Sequence, residues 1–149
     1  MMIGRIDTPT REDTTLTMVL TDEMRDFLAE PRFAVLATAK PDGRIQQTVM
    51  WYELRDDAIM MNTVAGRVKH RNIHRDPHVS ICFEDGYRFV TIEGQVRETI
   101  DDPEIAVADI IGLSKRYHPK RSQAEHDQFK GQARETMVIS IDNVITNGF

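Results

Sequence analysis

Residues 62–77 have the sequence NTVAGRVKHRNIHRDP, which predicts the end of a strand, a turn of small residues and the start of a helix. The helix is expected to end at Asp76, because a proline disfavours helical geometry in the residue before it. Between positions 64 and 75 the chain carries four basic residues and no acidic one: Arg67, Lys69, Arg71 and Arg75. Free N–H groups at a helix N-terminus favour an anion, and Arg67 and Lys69 add charge-assisted bonds. Two interpretations remain open at this point, a solvated basic helix face or a site for a phosphate group.

Strand patterns surround this segment on both sides. Pro41-Asp42-Gly43 and Asp85-Gly86 are sequences typical of tight turns, so each predicts a hairpin. Apolar residues recur with a period of two along several of the flanking segments, as at Val79, Ile81 and Phe83 and at Met137, Ile139 and Ile141. The predicted strands are 32–40, 44–54, 58–63, 78–84, 87–98 and 135–146.

Short helices are predicted between the strands from their capping residues. Thr21 or Asp22 starts a helix that Pro31 stops, and Asp102-Pro103-Glu104 starts another that runs to about His118. Ser122 and Glu125 form a capping box for a helix that ends near Gly131. The fold class is therefore mainly β (α+β), an antiparallel barrel of six to seven strands with short flanking helices. Residues 1–20 are expected to be a flexible arm, and residues 21–149 a single domain.

Composition excludes some classes of function. The formal net charge of −5 argues against a nucleic-acid-binding surface, which has to be positive. No apolar run approaches the roughly 20 residues that cross a bilayer, and the N-terminus lacks the pattern of a secretion signal. The lone Cys82 has no partner for an internal disulfide, so we expect a reducing, cytoplasmic location.

Metal binding and side-chain catalysis are not predicted. His70 and His74 are four residues apart on the predicted helix, a spacing that can chelate zinc or copper. The next candidate ligand, His78, lies beyond a proline, and the neighbouring arginines repel a cation. No convincing Ser/His/Asp or paired-carboxylate pattern is found, so no catalytic side chain is predicted. Trp51 and Tyr52 point to opposite faces of their strand, and one of them lines a cleft or a dimer contact.

Three segments together resemble a known superfamily. They are residues 33–44, residues 66–81 and Glu93-Gly94. They are similar to the FMN-binding split barrels related to pyridoxamine 5'-phosphate oxidase, and the similarity extends over about residues 22–146. Within that superfamily, the pattern Arg-x-Lys-x-Arg-Asn-Ile-x-Arg-Asp-Pro from Arg67 to Pro77 resembles the actinobacterial oxidoreductases that use the deazaflavin coenzyme F420.

The resemblance implies a set of cofactor-binding residues. They are Gln46, Thr48, Met50, Asn62, Thr63, Arg67, Val68, Lys69, Tyr87 and Arg88. Thr63, Arg67 and Lys69 match the positions that hold the cofactor phosphate, and Asn62 matches a polar contact at the strand end. Positions 46, 48 and 50 lie on one face of a strand beside the ring and ribityl chain. Positions 87 and 88 reach the ring from the other subunit.

The implied activity is hydride transfer between coenzyme F420 and an unsaturated small molecule such as a quinone, an enone or a tetrapyrrole. The cofactor carries this chemistry, and the protein supplies position and electrostatics. The expected assembly is a homodimer with its cofactor sites at the subunit interface, and no nucleic-acid or membrane partner is expected. The alternatives are an FMN-dependent oxidase or reductase of the same fold, a non-catalytic carrier of flavin, deazaflavin or haem, and a purely structural barrel.

Overall fold

A computed structural model describes residues 20–149 and, before them, the backbone of one short strand. The strands are β1 (Thr15–Thr17), β2 (Ala34–Ala39), β3 (Ile45–Met50), β4 (Glu53–Arg55), β5 (Ala58–Val64), β6 (His78–Asp85), β7 (Arg88–Ile100), β8 (Arg134–Ser140) and β9 (Asn143–Asn147). The helices are α1 (Asp22–Ala29), α2 (Val68–Arg75), α3 (Pro103–Tyr117) and α4 (Gln123–His126), which continues into a 3-10 turn at Asp127–Phe129. The flexible arm predicted over residues 1–20 lies outside the described residues, apart from β1 and Leu20.

The strands form one curled, half-open barrel in which every described pair is antiparallel. Neighbouring strands follow the order β3-β2-β6-β7-β8-β5-β4, and β9 pairs with both β1 and β7. The mainly-β antiparallel barrel with short helices is therefore confirmed. The described strands number nine, more than the six or seven predicted, because two predicted strands are divided and β1 was not foreseen.

The predicted strand 44–54 is wrong as a single strand, because the backbone leaves the sheet at Trp51 and Tyr52. The Tyr52 N–H donates to the hydroxyl of Tyr117 at 3.2 Å, and its carbonyl accepts from Nε of Arg116 at 3.1 Å. The backbone N–H and carbonyl of Tyr52 therefore bond to side chains of α3 instead of to a neighbouring strand. The fully buried Tyr52 phenol donates to the Leu28 carbonyl at 3.0 Å, and burial raises its pKa to about 12. This break separates β3 from β4 and leaves an opening beside Trp51.

The predicted strand 135–146 is also divided, into β8 and β9, and β7 bends to pair with both of them. The first part of β7 pairs with β9, and the second part, from Val96 onward, pairs with β8 with a bulge between Val96 and Glu98. At the bend, Gly94 lies so close to β8 that a Cβ atom there would be 1.8 Å from the Ser140 carbonyl oxygen. A glycine is required at this corner of the barrel.

The hairpin between β6 and β7 turns one residue later than predicted. Asp85 pairs with Arg88, so the two turn residues are Gly86 and Tyr87. Gly86 has a φ of +65°, which glycine adopts without strain and which two-residue hairpins need. Tyr87 is consequently a turn residue with 92% of its surface exposed, and it is not the first residue of a strand.

The main core fills the inside of the barrel and is closed at one end by α1, which contributes Met24, Phe27 and Leu28. A second, smaller core of Met60, Ile110 and Leu113 lies between β5 and α3. None of the helices in the described part of the chain has an apolar run long enough to cross a bilayer.

Candidate functional site

A cavity of about 310 Å³ opens where β3 and β5 end, between the first turn of α2 and helix α3. Its lining combines cationic, polar and apolar side chains: Thr48, Val49, Met50, Trp51, Asn62, Thr63, Arg67, Lys69, Ile110, Leu113, Phe129 and Arg134. Six of the ten residues implied by the resemblance lie in this lining: Thr48, Met50, Asn62, Thr63, Arg67 and Lys69. The structure therefore brings Thr48 and Met50 of β3 next to the end of β5 and the basic turn that follows it.

Three cations form one wall of the cavity. Lys69 is 7% exposed, and burial, together with the charges of Arg67 and Arg134, lowers the pKa of its ammonium group. Burial and the Arg67 charge lower the pKa of Arg134 to about 10. Within residues 20–149 no carboxylate forms an ion pair with any of these three groups. Arg67 is exposed, whereas Lys69 is buried and Arg134 half-buried. Like charges that are taken out of water repel one another, so this wall favours an anion.

The turn that presents these cations is set by β5 and α2. The Ala65 N–H donates to the Ala133 carbonyl at 2.8 Å, which extends the β5–β8 ladder to the edge of the turn. Gly66 then reverses the chain with a φ of +89°, and Arg67 becomes the N-cap of α2 with no side-chain cap of its own. The start of α2 therefore presents two kinds of group that favour an anion. These are the free N–H groups of its first turn and the cations Arg67 and Lys69.

Asn62 reaches the cavity wall with its amide fully engaged. Its Nδ2 donates to the Ala106 carbonyl at 2.8 Å and to Oγ1 of Thr136 at 3.1 Å. Its Oδ1 accepts a 2.9 Å bond from Nε of Arg134. Together with Gln132, whose Oε1 accepts from Nη1 of Arg134 at 3.0 Å, Asn62 fixes the direction of the Arg134 guanidinium. Behind Asn62 the Thr136 hydroxyl donates to Asp109 at 2.7 Å.

A chain of polar side chains connects α2 with the β3 side of the cavity. Asn72 donates to the Thr38 hydroxyl at 3.1 Å, and Thr38 donates to Oε1 of Gln46 at 3.2 Å. Nε2 of Gln46 then donates to Oγ1 of Thr48 at 2.9 Å. Thr48 lines the cavity whereas Gln46 does not, so Gln46 orients Thr48 in this protomer.

The other three residues implied by the resemblance lie away from the cavity of this protomer. Val68 is 42% exposed on the outer side of α2, and Tyr87 is 92% exposed in the β6–β7 turn. The Arg88 guanidinium lies 4.3 Å from the centroid of the Phe149 ring. The roles of Tyr87 and Arg88 toward a second subunit stay predictions.

An apolar wall faces the cations, and most of it was not predicted. Trp51 stacks on Tyr117 with 5.3 Å between ring centroids and 14° between planes. Ile110, Leu113 and Phe129 complete the wall. Of the two alternatives left open for Trp51 and Tyr52, Trp51 lines the cleft and Tyr52 is buried in the core.

The comparison with protein families shows which family this chain belongs to. The family model described as pyridoxamine 5'-phosphate oxidase matches residues 20–145. The chain belongs to the pyridoxamine 5'-phosphate oxidase family. The split-barrel resemblance stated from the sequence is thereby confirmed.

Solved structures of similar fold include the following three proteins. An F420 reductase is 26% identical, with a TM-score of 0.71, over 81% of this chain and 94% of that one. A conserved hypothetical protein from Mycobacterium tuberculosis is 31% identical, with a TM-score of 0.74, over 94% and 90% of the two chains. The heme storage protein HutZ from Vibrio cholerae is 18% identical, with a TM-score of 0.66, over 85% and 94%. This last likeness shows the fold alone.

In this member of the pyridoxamine 5'-phosphate oxidase family, a group of three potential metal ligands lies behind the basic turn. The ligand atoms of His70, His74 and Glu135 are within 4.8 Å of one another. The third member is Glu135 of β8, not the His78 that was considered from the sequence. However, Nδ1 of His70 accepts the Gly66 N–H at 3.0 Å. A neutral imidazole then carries its proton on Nε2, the atom that faces Glu135, and that atom has no lone pair for a metal. The absence of a metal site stays a prediction.

Proposed function

We propose that this protein is an oxidoreductase that uses coenzyme F420 to transfer a hydride to an unsaturated small molecule such as a quinone, an enone or a tetrapyrrole. The observation that carries the proposal is the cationic wall of Arg67, Lys69 and Arg134, which has no carboxylate partner within residues 20–149. The 26% identity with an F420 reductase supports the choice of a deazaflavin over FMN.

The donor set fits the phosphate of such a cofactor. An organic phosphate offers several anionic oxygens, and charge-assisted bonds from arginine and lysine are the strong ones for such a group. Arg67, Lys69 and the N-terminus of α2 would hold it, and the Arg134 guanidinium is directed by Asn62. The wall of Trp51, Ile110 and Phe129 suits an aromatic ring system, because such rings bury large apolar areas.

The cofactor supplies the hydride from a carbon of its own ring. The residues of the cavity then have three tasks. The cations fix the phosphate end, and Thr48, held by Gln46, orients the polar chain between phosphate and ring. Trp51 and Phe129 exclude water from the ring. Electrostatics and position are thus the contribution of the protein, and no side chain of this cavity is assigned the role of nucleophile.

The proposal includes a homodimer in which a second copy completes the site. The outer face of β2 and β3, with Phe33 just before β2, carries exposed apolar side chains: Phe33 is 62%, Ile45 59% and Val49 63% exposed. Val49 also borders the cavity, so this face continues into the site. At about 310 Å³ the cavity is at the small end of ligand sites, which span roughly 300–1,000 Å³. A second copy on the β2–β3 face would enclose the ring, giving two sites per dimer.

The test has two steps. The purified protein from a host that makes both F420 and FMN is first analysed for the mass and absorbance of a co-purifying ligand. Reduced F420 bound to the protein is then mixed with quinones, enones and biliverdin-like acceptors in a stopped-flow instrument. We expect F420 to co-purify with the protein. We also expect at least one acceptor class to oxidise the reduced cofactor faster on the protein than in free solution. Co-purification of FMN would favour the FMN-dependent alternative. Tight F420 binding without faster oxidation by any acceptor would favour the non-catalytic carrier.

A further inference from the structure

His70 forms a hydrogen bond to the turn that presents Arg67 and Lys69 to the cavity. It is the third residue of α2, and its Nδ1 reaches back to accept the N–H of Gly66 at 3.0 Å. In a capping box a glutamate or glutamine at this third position accepts an N–H from the residues just before the helix. Arg67, the N-cap, provides no side-chain cap. His70 therefore takes over the capping of this turn and leaves the Arg67 side chain free to line the cavity.

Glu135 fixes the orientation of His70. The ring nitrogen Nε2 of His70 lies 2.7 Å from Oε2 of Glu135, and Nε2 of His74 lies 2.6 Å from Oε1. The Glu135 side chain is only 8% exposed, and its hydrogen bonds to the two imidazoles hold its pKa below the usual value although burial raises it. Glu135 lies opposite Thr63 in the β5–β8 ladder, so this contact ties α2 to β8 directly beside Thr63 of β5.

We propose that His70, oriented by Glu135, is a positioning residue that holds the Gly66 turn in the conformation that binds the cofactor phosphate. This inference rests on the proposed function and adds to it a residue that contacts no part of the cofactor. Its imidazole must accept at Nδ1 and donate at Nε2 at the same time. A side chain that can do both should replace it, and an apolar one of similar size should not.

Two variants separate these cases. Glutamine in His70→Gln has an oxygen that accepts from Gly66 and an amide N–H that donates to Glu135, whereas methionine in His70→Met fills the space without either bond. His78→Gln is the matched control, because His78 has a 71% exposed side chain that pairs with Asp76 at the far end of α2. Each protein is titrated with F420 and with its phosphate-free deazaflavin chromophore. The readout is the affinity for F420 divided by the affinity for the chromophore.

We expect a five- to tenfold smaller ratio for His70→Met, in keeping with the loss of about one hydrogen bond, and a ratio close to the unmodified protein for His70→Gln and His78→Gln. The affinity for the phosphate-free chromophore should be the same in all four proteins, which also shows that each is folded. An unchanged ratio in His70→Met, or equal losses in His70→Met and His70→Gln, would overturn the inference. If the unmodified protein itself binds both ligands equally, the proposed function fails and not the role of His70 alone.

Discussion

Nε of Arg134 donates a 2.9 Å hydrogen bond to Oδ1 of Asn62, and this bond couples the buried polar network of β5 and β8 to the cavity. The two N–H groups of Nδ2 of Asn62 donate to the Ala106 carbonyl and the Thr136 hydroxyl. Asn62 therefore acts on a ligand through Arg134, and its effect on affinity should depend on the presence of that arginine.

A double-mutant cycle tests this dependence. Asn62→Ala should lower F420 affinity about three- to tenfold, because the guanidinium loses one of the two hydrogen bonds that direct it. In an Arg134→Ala background the same substitution should cost almost nothing. Isothermal titration of the unmodified protein, the two single variants and the double variant gives the coupling free energy between Asn62 and Arg134. Equal losses in both backgrounds would show that Asn62 acts independently of Arg134.

Affinity for F420 should fall at alkaline pH. The pKa of Lys69 lies below its ordinary value of 10.5 in the free protein because the ammonium is buried near two cations. A bound anion favours the charged form and raises this pKa. Affinity is therefore full below the free-protein pKa and falls as pH rises through it, by up to about tenfold per pH unit. Titrations at rising pH from neutrality, all below the ordinary lysine pKa of 10.5, should show the onset of this fall.

The matched protein for the pH experiment is Lys69→Arg, which keeps its charge over this range and should give a flat profile. The phosphate-free chromophore should also bind independently of pH. A fall of the same size in the Lys69→Arg protein would assign the titration to another group.

Gly94→Ala should destabilise the fold strongly. The new methyl carbon would lie 1.8 Å from the Ser140 carbonyl oxygen, so β7 and β8 must separate at the bend. We expect a loss of about 3 kcal/mol or more in unfolding free energy by urea denaturation. Gly112→Ala in α3 is the control, since its added methyl meets nothing within 4 Å, and it should gain up to about 1 kcal/mol. Similar stabilities for the two variants would contradict this account of the bend.

The proposed dimer should dissociate when charge is placed on the β2–β3 face. Val49→Lys puts an ammonium on a side chain that is 63% exposed in the protomer, and burying it at an interface is unfavourable. Sedimentation velocity should show a monomer for Val49→Lys and a dimer for Ile105→Lys, whose site on α3 is 45% exposed. A dimeric Val49→Lys would exclude this face as the interface.

Locally determined features of the fold were predictable from the sequence. Thr21 accepts the Met24 N–H, and Asp102 accepts the Glu104 N–H, as expected of N-caps. The capping box of Ser122 and Glu125 has both of its bonds. These contacts join residues at most three positions apart, so composition and spacing carry the whole signal.

Features that depend on distant residues were not predictable. The break at Tyr52 requires Arg116 and Tyr117 of α3, more than sixty positions away. Arg134 enters the site only because β8 pairs with β5 in a register that places it opposite Val64, and no local pattern around it indicates an anion site. The sequence therefore predicted the basic turn and the strand residues of the site, and it missed the third cation and most of the apolar wall.

The central claim is that Arg67 and Lys69 bind the phosphate of an organic cofactor. The most direct measurement is the affinity for F420 and for its phosphate-free chromophore in the unmodified protein and in the double variant Arg67→Ala/Lys69→Ala. We predict that the double variant loses about 2–4 kcal/mol of F420 binding, from charge-assisted bonds with partial compensation, and keeps its affinity for the chromophore. An F420 affinity that stays within about threefold of the unmodified protein, less than the loss of a single such bond, would contradict the claim.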